Sequence, residues 1–505
     1  MSRALFVPEI LSEVISHVNI TDTKTESGRS LLALALTCRS FSEQALDALW
    51  ESLIGINPIM QCAGIKVPDI LTSCNDSEDC RIIPTESQLV IIDRYAHRVR
   101  FLKMTTHDWQ SNLVQSFLQT LAYSAKVLMP NLQRLSGHFS SFSSGVMHLL
   151  RPLLGPRLQD VSIDTINLAG ERMFPQRTAL HVVLRTLHSC CPSLEIFRFG
   201  TDSRIYGIWD AHTTRAASYS IQRLQKLRIV VVPAITKDAL AHLGGLSCLT
   251  SLDTYLPTGS DLEDVFRSSL IPFPFENVRS VGWEIEDWAD VEVFTRLWSH
   301  KLTRLSLRSK VHFDPGLLQK LFESFHPREA FKYLQSIHFT QSSGCQIIPT
   351  VILTNNTIWP LLHLHHLRIV EFDTISSILV DSDDLKRMAK AWPCLEEFYL
   401  NDAYGCHNPT PGVTLPGLVE FIELCPRLTI LCIGSVTLAG VDMDSDEDFH
   451  MDNVEPCHSR TLEYLALTYP NAQERHDDDM WRERLENFLG TLFPSTCLYF
   501  APEDE

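Results

Sequence analysis

Apolar residues recur along most of the chain with a fixed short spacing: one residue, a second three positions later, and a third two positions after that. Clear examples are Leu158/Val161/Ile163, Leu194/Phe197/Phe199, Leu302/Leu305/Leu307 and Leu395/Phe398/Leu400. The alternation within each triplet predicts a short β-strand with one buried face. The triplets repeat about every 30 residues between Val99 and Leu467, so we expect a long series of strands.

Amphipathic segments lie between these strands, and their spacing predicts helices. They cover residues 112–124, 178–189, 237–243, 316–325, 383–391, 417–424 and 481–491. Several end in a turn that leads directly into the next strand, with Pro192, Pro393 or Pro426 at the turn. Proline stops a helix and favours extended backbone, so each unit should run strand, helix, turn, strand.

A leucine pattern with one strand and one helix per unit resembles the leucine-rich repeat. A single unit cannot cover its own apolar face, so such units stack into a solenoid. The resemblance implies an α/β fold over residues 87–500: an irregular leucine-rich-repeat solenoid, with parallel strands on the concave side and helices on the convex side. The asparagine or cysteine that usually follows the strand is mostly absent, and the period varies by up to a third.

A doubly wound α/β enzyme is the alternative, because it also alternates strands and helices. It is disfavoured because no glycine-rich phosphate loop follows any strand, and because one doubly wound sheet seldom needs so many parallel strands.

The first fifty residues form a separate pattern that predicts three helices. Pro8 suits a first helical turn, and Ile10, Leu11, Val14, Ile15 and Val18 form one apolar face. We expect a polar loop at 19–29, a second helix at 31–37 capped by Ser30, and a third helix with capping-box spacing between Ser40 and Glu43. This stretch has more apolar surface than fifty residues can bury. It is either a cap on the rest of the chain or a docking module.

Three stretches of this region together resemble the F-box, and most closely that of mushroom-type fungi. They are Pro8-Glu9-Ile10-Leu11, then Leu31-Leu32-Ala33-Leu34-Ala35-Leu36-Thr37-Cys38-Arg39-Ser40-Phe41, then Leu49-Trp50. Val7 stands where leucine is commoner, and the 21–29 loop is slightly long.

The F-box resemblance implies a domain at 1–52. The irregular stretch that follows, with Pro58, Pro68 and Pro84, predicts a connector at 53–86. It implies docking onto the Skp1-type adaptor of a cullin–RING ubiquitin ligase. The residues that match the motif would carry this contact or support it: Pro8, Glu9, Ile10, Leu11, Leu32, Leu34 and Trp50.

Composition and charge limit the partners and the cellular compartment that we expect for this chain. The chain has 505 residues and a net charge of −18, which is unfavourable for sequence-independent nucleic-acid binding. Its 14 cysteines form no CxxC pair. The sequence shows no signal peptide and no apolar run long enough to span a membrane, so we expect a reducing compartment, cytoplasmic or nuclear.

No catalytic motif stands out, and we expect neither an enzyme nor a cofactor or metal site. His363, His365 and His366 favour surface histidines over metal ligands, because no Cys or carboxylate lies at ligand spacing. The acidic insertion near 442–452 lacks the central glycine of a calcium loop, and we interpret it and the 501–505 tail as solvated.

Residues beside the middle apolar position of each strand should point to the concave face. Several are basic or aromatic, and those predicted to bind substrate are Arg198, Arg228, Arg304, Arg308, His366, Arg368 and Tyr399. The arginines favour an acidic or phosphorylated segment of a target. A solvated face whose charges form ion pairs with one another is the alternative.

The predicted function is substrate recognition in a ubiquitin ligase; a non-ubiquitin repeat scaffold and, less favoured, an α/β enzyme remain alternatives.

Overall fold

A computed structural model describes the greater part of the chain. The described residues are 8–19, 24–65, 83–123, 126–139, 146–165, 174–200, 211–255, 275–285, 301–309, 314–325, 331–341, 352–374, 377–401, 412–434, 436, 461–467, 479–494 and 496–500. The acidic insertion near 442–452 and the 501–505 tail lie outside them. The chain divides into two compact units, Met1–Cys248 and Leu249–Glu505.

The first unit begins with three helices: α1 (Pro8–Asn19), α2 (Lys24–Thr37) and α3 (Arg39–Trp50). We call these three helices the helical module. Their shared core contains Leu11, Ile15, Leu31, Ala35, Phe41 and Ala45. The three helices predicted from the sequence are therefore present, and they pack on one another.

Two boundary predictions in the module are wrong. Helix α2 starts at Lys24, because Ser27 is buried and continues the four-residue stripe of Leu31 and Ala35. The predicted 19–29 loop is therefore mostly helix, and Ser30 lies inside α2 instead of capping it. Helix α3 has Cys38 at its N-cap position, with no side-chain cap, so Ser40 forms no capping box.

Among the described residues of the first unit six parallel strands follow, each hydrogen-bonded to the next in chain order. They are β1 (Ser52–Ile54), β2 (Phe101–Met104), β3 (Arg134–Phe139), β4 (Asp160–Thr165), β5 (Ile196–Phe199) and β6 (Ile229–Ala234). The helices are α4 (Asn57–Cys62), α5 (Glu86–Ala96), α6 (Thr106–Gln110), α7 (Asn112–Tyr123), a 3₁₀ helix (Val146–Leu153), α8 (Phe174–Cys190), α9 (Ala211–Ile221) and α10 (Lys237–Gly244).

The predicted connector at 53–86 is in part ordered repeat structure, and this is a correction. Leu53 is buried in β1, which pairs with β2 in the register Leu53–Leu102. Gly55 then turns the chain with a φ of +75°, and its amide donates to Lys103 O at 2.9 Å. The sheet of the first unit thus starts at β1, two residues after the helical module ends, and not at Val99.

The described residues of the second unit contribute nine parallel strands to the sheet, also in chain order. They are β7 (Ser251–Tyr255), β8 (Ser280–Ile285), β9 (Arg304–Ser309), β10 (Ser336–Gln341), β12 (Ile369–Asp373), β14 (Glu397–Leu400), β15 (Ile430–Ile433), β16 (Tyr464–Leu467) and β17 (Cys497–Phe500). Strands β11 (Ile352–Thr354) and β13 (Ser377–Leu379) form a small parallel sheet. The helices are α11 (Pro315–Glu323), α12 (Asn355–Ile358), a 3₁₀ helix (Trp359–His363), α13 (Ser382–Ala391), α14 (Leu415–Leu424) and α15 (Asp479–Leu492).

The predicted alternation of strands and helices is confirmed. Helices cover one face of the second sheet: Phe322 of α11 stacks edge-on against Phe339 of β10, with ring centroids 4.8 Å apart. Phe398 of β14 meets Phe421 of α14 at 5.4 Å. Because neither described sheet reverses its strand order, it has no switch point of the kind at which doubly wound enzymes bind ligands.

The predicted proline turns between helix and strand are present. The amide of Leu194 donates to Cys191 O at 3.2 Å, and that of Leu428 donates to Cys425 O at 3.1 Å. Both cysteines are buried, and burial raises the pKa of the Cys425 thiol to about 12. These cysteines therefore act as small core residues at the helix ends. None of the described helices is both long and apolar enough to cross a membrane.

Candidate docking surfaces

The helical module leaves apolar side chains exposed beside its own completed core. Ile10 and Val14 lie one turn apart on α1 and are 42% and 37% exposed. Leu32 and Leu36 lie one turn apart on α2 and are 48% and 78% exposed. We call these four residues the apolar stripes. Exposed apolar stripes on a small helical module are typical of a surface that a partner covers.

The predicted adaptor-binding residues divide into two groups. Glu9, Ile10 and Leu32 are exposed, whereas Leu11 and Trp50 are buried and Leu34 packs partly against the core. Pro8 is the first residue of α1. The buried members can support a contact but cannot make it. Val14 and Leu36 were not among the predicted residues, although their positions four residues after Ile10 and Leu32 place them on the same helix faces.

Helix α3 attaches the module to the first repeat, which is the unit formed by α5 and β2. The Arg98 side chain is 5% exposed; its Nη2 donates to Glu43 Oε2 at 2.5 Å, and its Nη1 bonds to Asp47. Burial alone would lower the pKa of Arg98, but the bonds to the Glu43 and Asp47 carboxylates raise it. Trp50 stacks near Tyr95 of α5, with ring centroids 4.8 Å apart. Helix α3 therefore serves as the module's attachment to the repeats.

Strand side chains that point away from the buried positions form the second candidate surface, which we call the polar sheet face. In the first unit its central row is Ile54, Lys103, Ser136, Ser162, Arg198 and Val231. In the second unit the row is Asp253, Gly282, Ser306, His338, Glu371, Tyr399, Cys432, Ala466 and Tyr499. Each row has one residue per strand, so neighbours lie about 4.8 Å apart.

Three of the predicted substrate-binding residues do not lie on strands. Arg228 and Arg368 each come immediately before a strand, and His366 occupies an exposed turn. They were misplaced because the prediction took Leu227 and Leu367 as the middle buried residues of their strands. In the structure those positions belong to Val230, which pairs with Phe197, and Val370, which pairs with Ile337. Arg198, Arg304, Arg308 and Tyr399 do lie on the polar sheet face.

Most of these arginines are already paired with carboxylates. Arg198 Nη1 lies 3.9 Å from Asp160 Oδ1, and Arg228 Nη1 lies 3.5 Å from Glu195 Oε2. Arg368 makes a bidentate pair with Glu396, at 2.8 Å and 2.6 Å. Arg304 has no ion-pair partner among the described residues. The ion-paired alternative therefore describes this surface better than a free basic face.

The pair between Arg308 and Asp253 spans an intervening strand. Asp253 lies on β7 and Arg308 on β9, and both Nη atoms of Arg308 donate to the carboxylate, one of them at 3.2 Å. Gly282 of β8 lies between them, and a Cβ there would come within 2.5 Å of Asp253 Cγ. The absence of a side chain at Gly282 is what allows the carboxylate to reach across β8.

A chain of hydrogen bonds runs across β10 and β12. Ser336 Oγ lies 2.5 Å from His338 Nε2, and His338 Nδ1 lies 2.5 Å from Glu371 Oε2. The order hydroxyl, imidazole, carboxylate is that of a nucleophile relay. However, the Ser336 amide already donates to Thr303 O at 3.0 Å in the sheet, so it is not an oxyanion donor. The chain orients Glu371 and His338 on the polar sheet face.

Carboxylates without a lysine or arginine partner among the described residues occur together with tyrosines on the later strands of the second unit. Glu397 accepts a hydrogen bond from the Tyr399 hydroxyl at 3.1 Å, and burial raises the pKa of Tyr399 above its usual range. Glu463, just before β16, is exposed. The rings of Tyr464 and Tyr499 stack at 6.3 Å. Within the described residues, no three His, Cys, Asp or Glu side chains converge as a metal site would require.

No protein-family model matches the chain, and the curated proteins give no match. Among solved structures, the complex of Rad7 and Elc1 from yeast is similar at 12% identity and a TM-score of 0.36, covering 81% of this chain and 96% of that one. A Bacteroides fragilis protein is similar at 14% identity and a TM-score of 0.30, covering 56% of this chain and 68% of that one. Neither likeness is close enough to indicate a function.

Proposed function

We propose that this protein is the substrate-recognition subunit of a Skp1–cullin–F-box ubiquitin ligase. The helical module docks onto the adaptor, and the repeats bind a target protein. One observation carries the proposal: α1 and α2 keep Ile10, Val14, Leu32 and Leu36 exposed although the module has a complete core of its own. The F-box resemblance of the sequence supplies the identity of the partner.

The way the module is attached supports docking over simple capping. Contact with the first repeat uses α3, through Arg98 and Trp50. The apolar stripes lie on the other two helices, and this attachment leaves them exposed. A module that only capped the repeats would turn its apolar surface toward them. The module thus has one side for the repeats and one for a partner.

In this role the protein contributes proximity and not bond-making. Holding a target on the same particle as the ubiquitin donor replaces an encounter between free molecules with an intramolecular one, at a high effective concentration. No catalytic residue is required of this chain.

The proposal is tested by co-purification of a cullin with the tagged full-length chain from cells. The double variant Leu32→Lys/Leu36→Lys should recover about one tenth or less of the cullin that the wild type recovers, because charges would enter an apolar contact. The matched control is Val90→Lys/Val182→Lys, which changes two exposed apolar residues on other helices, 69% and 55% exposed. Equal recovery of the cullin by the wild type and both variants would contradict the proposal.

The same experiment distinguishes a repeat scaffold from a ligase subunit. A scaffold that binds the adaptor for another purpose recovers adaptor without cullin. A ligase subunit recovers both, and loses both together in the Leu32→Lys/Leu36→Lys variant.

A further inference from the structure

The polar sheet face of the second unit changes character along its strands. On β7 to β9 the charges neutralise one another through Asp253 and Arg308. Beyond β10, Glu371 and Glu397 on the strands and Glu463 immediately before β16 have neither lysine nor arginine partners among the described residues, although Glu371 contacts His338. The surface over β12 to β16 therefore carries an excess of negative charge.

Aromatic and aliphatic side chains occupy the same strands. Tyr399 and Tyr499 lie in the same row, separated by Cys432 and Ala466, which are both buried. Three strand spacings separate the two tyrosines, roughly 14 Å. Tyr499 is 49% exposed, and Tyr464 stacks on it. Exposed ring surface is thus present on strands whose carboxylates have no lysine or arginine partner among the described residues.

These two features together fit one kind of ligand. A lysine or arginine side chain can pair with a carboxylate while its stem or guanidinium lies over a tyrosine ring. An acidic or phosphorylated segment would instead meet like charge at Glu371, Glu397 and Glu463, which is repulsive. Of the five arginines predicted to bind such a segment, Arg304 alone has no carboxylate partner among the described residues, and it lies on β9, outside β12 to β16.

We propose that the polar sheet face over β12 to β17 binds a basic segment with apolar anchors on a target protein. This inference deepens the proposed function by naming the class of target. It reverses the charge that the arginine-rich strand positions suggested in the sequence. The binding segment contributes lysine or arginine to Glu397 and Glu463, and its apolar residues contact Tyr464 and Tyr499.

The test uses short fluorescein-labelled peptides and the full-length chain at physiological salt. One peptide alternates arginine with leucine; its counterparts alternate glutamate or phosphoserine with leucine. Fluorescence anisotropy should show saturable binding of the arginine peptide only. Tighter binding of either anionic peptide would overturn the inference.

Charge reversal separates a local site from the overall negative charge of the chain. Glu397→Lys/Glu463→Lys should weaken binding of the arginine peptide about tenfold or more, because attraction becomes repulsion. The control Glu323→Lys/Glu423→Lys makes the same change in net charge at exposed positions on α11 and α14. Equal weakening by both pairs would contradict a local site.

A third variant tests the aromatic contribution without changing charge. Tyr499→Ala should weaken binding about twofold to fivefold, the size of an exposed cation–π contact. Unchanged binding would exclude Tyr499 from the site, and circular dichroism of each variant checks that the sheet remains folded. Cullin recovery by Glu397→Lys/Glu463→Lys should equal that of the wild type, so failure of this inference is distinguishable from failure of the ligase proposal.

Discussion

Arg98 holds the helical module against the first repeat, and its two carboxylate partners both come from α3. Its side chain is nearly inaccessible, whereas those of Glu43 and Asp47 are more than half exposed. Arg98 therefore contributes more to the stability of the junction than either carboxylate, because its aliphatic stem packs while its guanidinium pairs. Removing it loses packing and two charge-assisted bonds at once.

We expect Arg98→Ala to destabilise the junction by about 1–3 kcal/mol, the range for loss of a buried hydrogen-bonded group. Thermal unfolding of the full-length chain should show a lower first transition. Arg100→Ala is the control, since Arg100 is exposed and lies two residues away. An equal effect of the two substitutions would contradict a specific role for Arg98.

Acid should weaken the same junction. The hydrogen bond from Arg98 holds the pKa of Glu43 below its usual range. Glu43 therefore stabilises the fold above the pKa of an unfolded glutamate, about 4.3, and this contribution is lost as pH falls through the lower folded value. Solvent screening keeps the effect small, because Glu43 is 66% exposed. A stability difference between wild type and Glu43→Gln should exist at neutral pH and vanish in acid; a constant difference would contradict this.

The sequence could identify the arginines but not their partners. Arg308 and Asp253 are 55 residues apart in the chain, and only the strand register brings them together. The same limitation produced the expectation of a basic face. Charge on a sheet face depends on neighbouring strands, which a single strand's alternation does not reveal.

At the scale of single elements, Gly282 determines how β7, β8 and β9 connect. We expect Gly282→Ala to destabilise the second unit by about 1–3 kcal/mol, because the new Cβ would displace the Asp253 carboxylate from Arg308. Urea unfolding measures the change. In an Asp253→Ala background the same substitution should cost much less, since the obstructing carboxylate is gone. Equal costs in both backgrounds would exclude this mechanism.

The strand triplets located most elements but misplaced two registers. The predicted triplets begin at Leu224 and Leu364. A second triplet with the same spacing begins three residues later in each case, at Leu227 and Leu367. The middle buried positions of these two strands are Val230 and Val370. They lie three residues beyond Leu227 and Leu367, which are buried as well but precede the strands. Apolar spacing alone cannot distinguish overlapping triplets; pairing with the neighbouring strand does.

At the scale of the whole molecule, the alternation of strand and helix was predictable because every repeat buries the same kind of face. The start of the first sheet was not, because β1 has only three residues and lies inside a stretch rich in proline and polar residues. The contact of the module with Arg98 could not be predicted either, because Glu43 and Asp47 have the spacing of ordinary solvent-facing residues of a helix.

The central claim is that the apolar stripes bind a Skp1-type adaptor. Isothermal titration of the purified adaptor into the full-length chain tests this most directly. The account predicts saturable one-to-one binding, lost in Ile10→Lys/Leu32→Lys and retained in Val90→Lys/Val182→Lys. Absence of binding by the wild type, or equal binding by all three proteins, would contradict it.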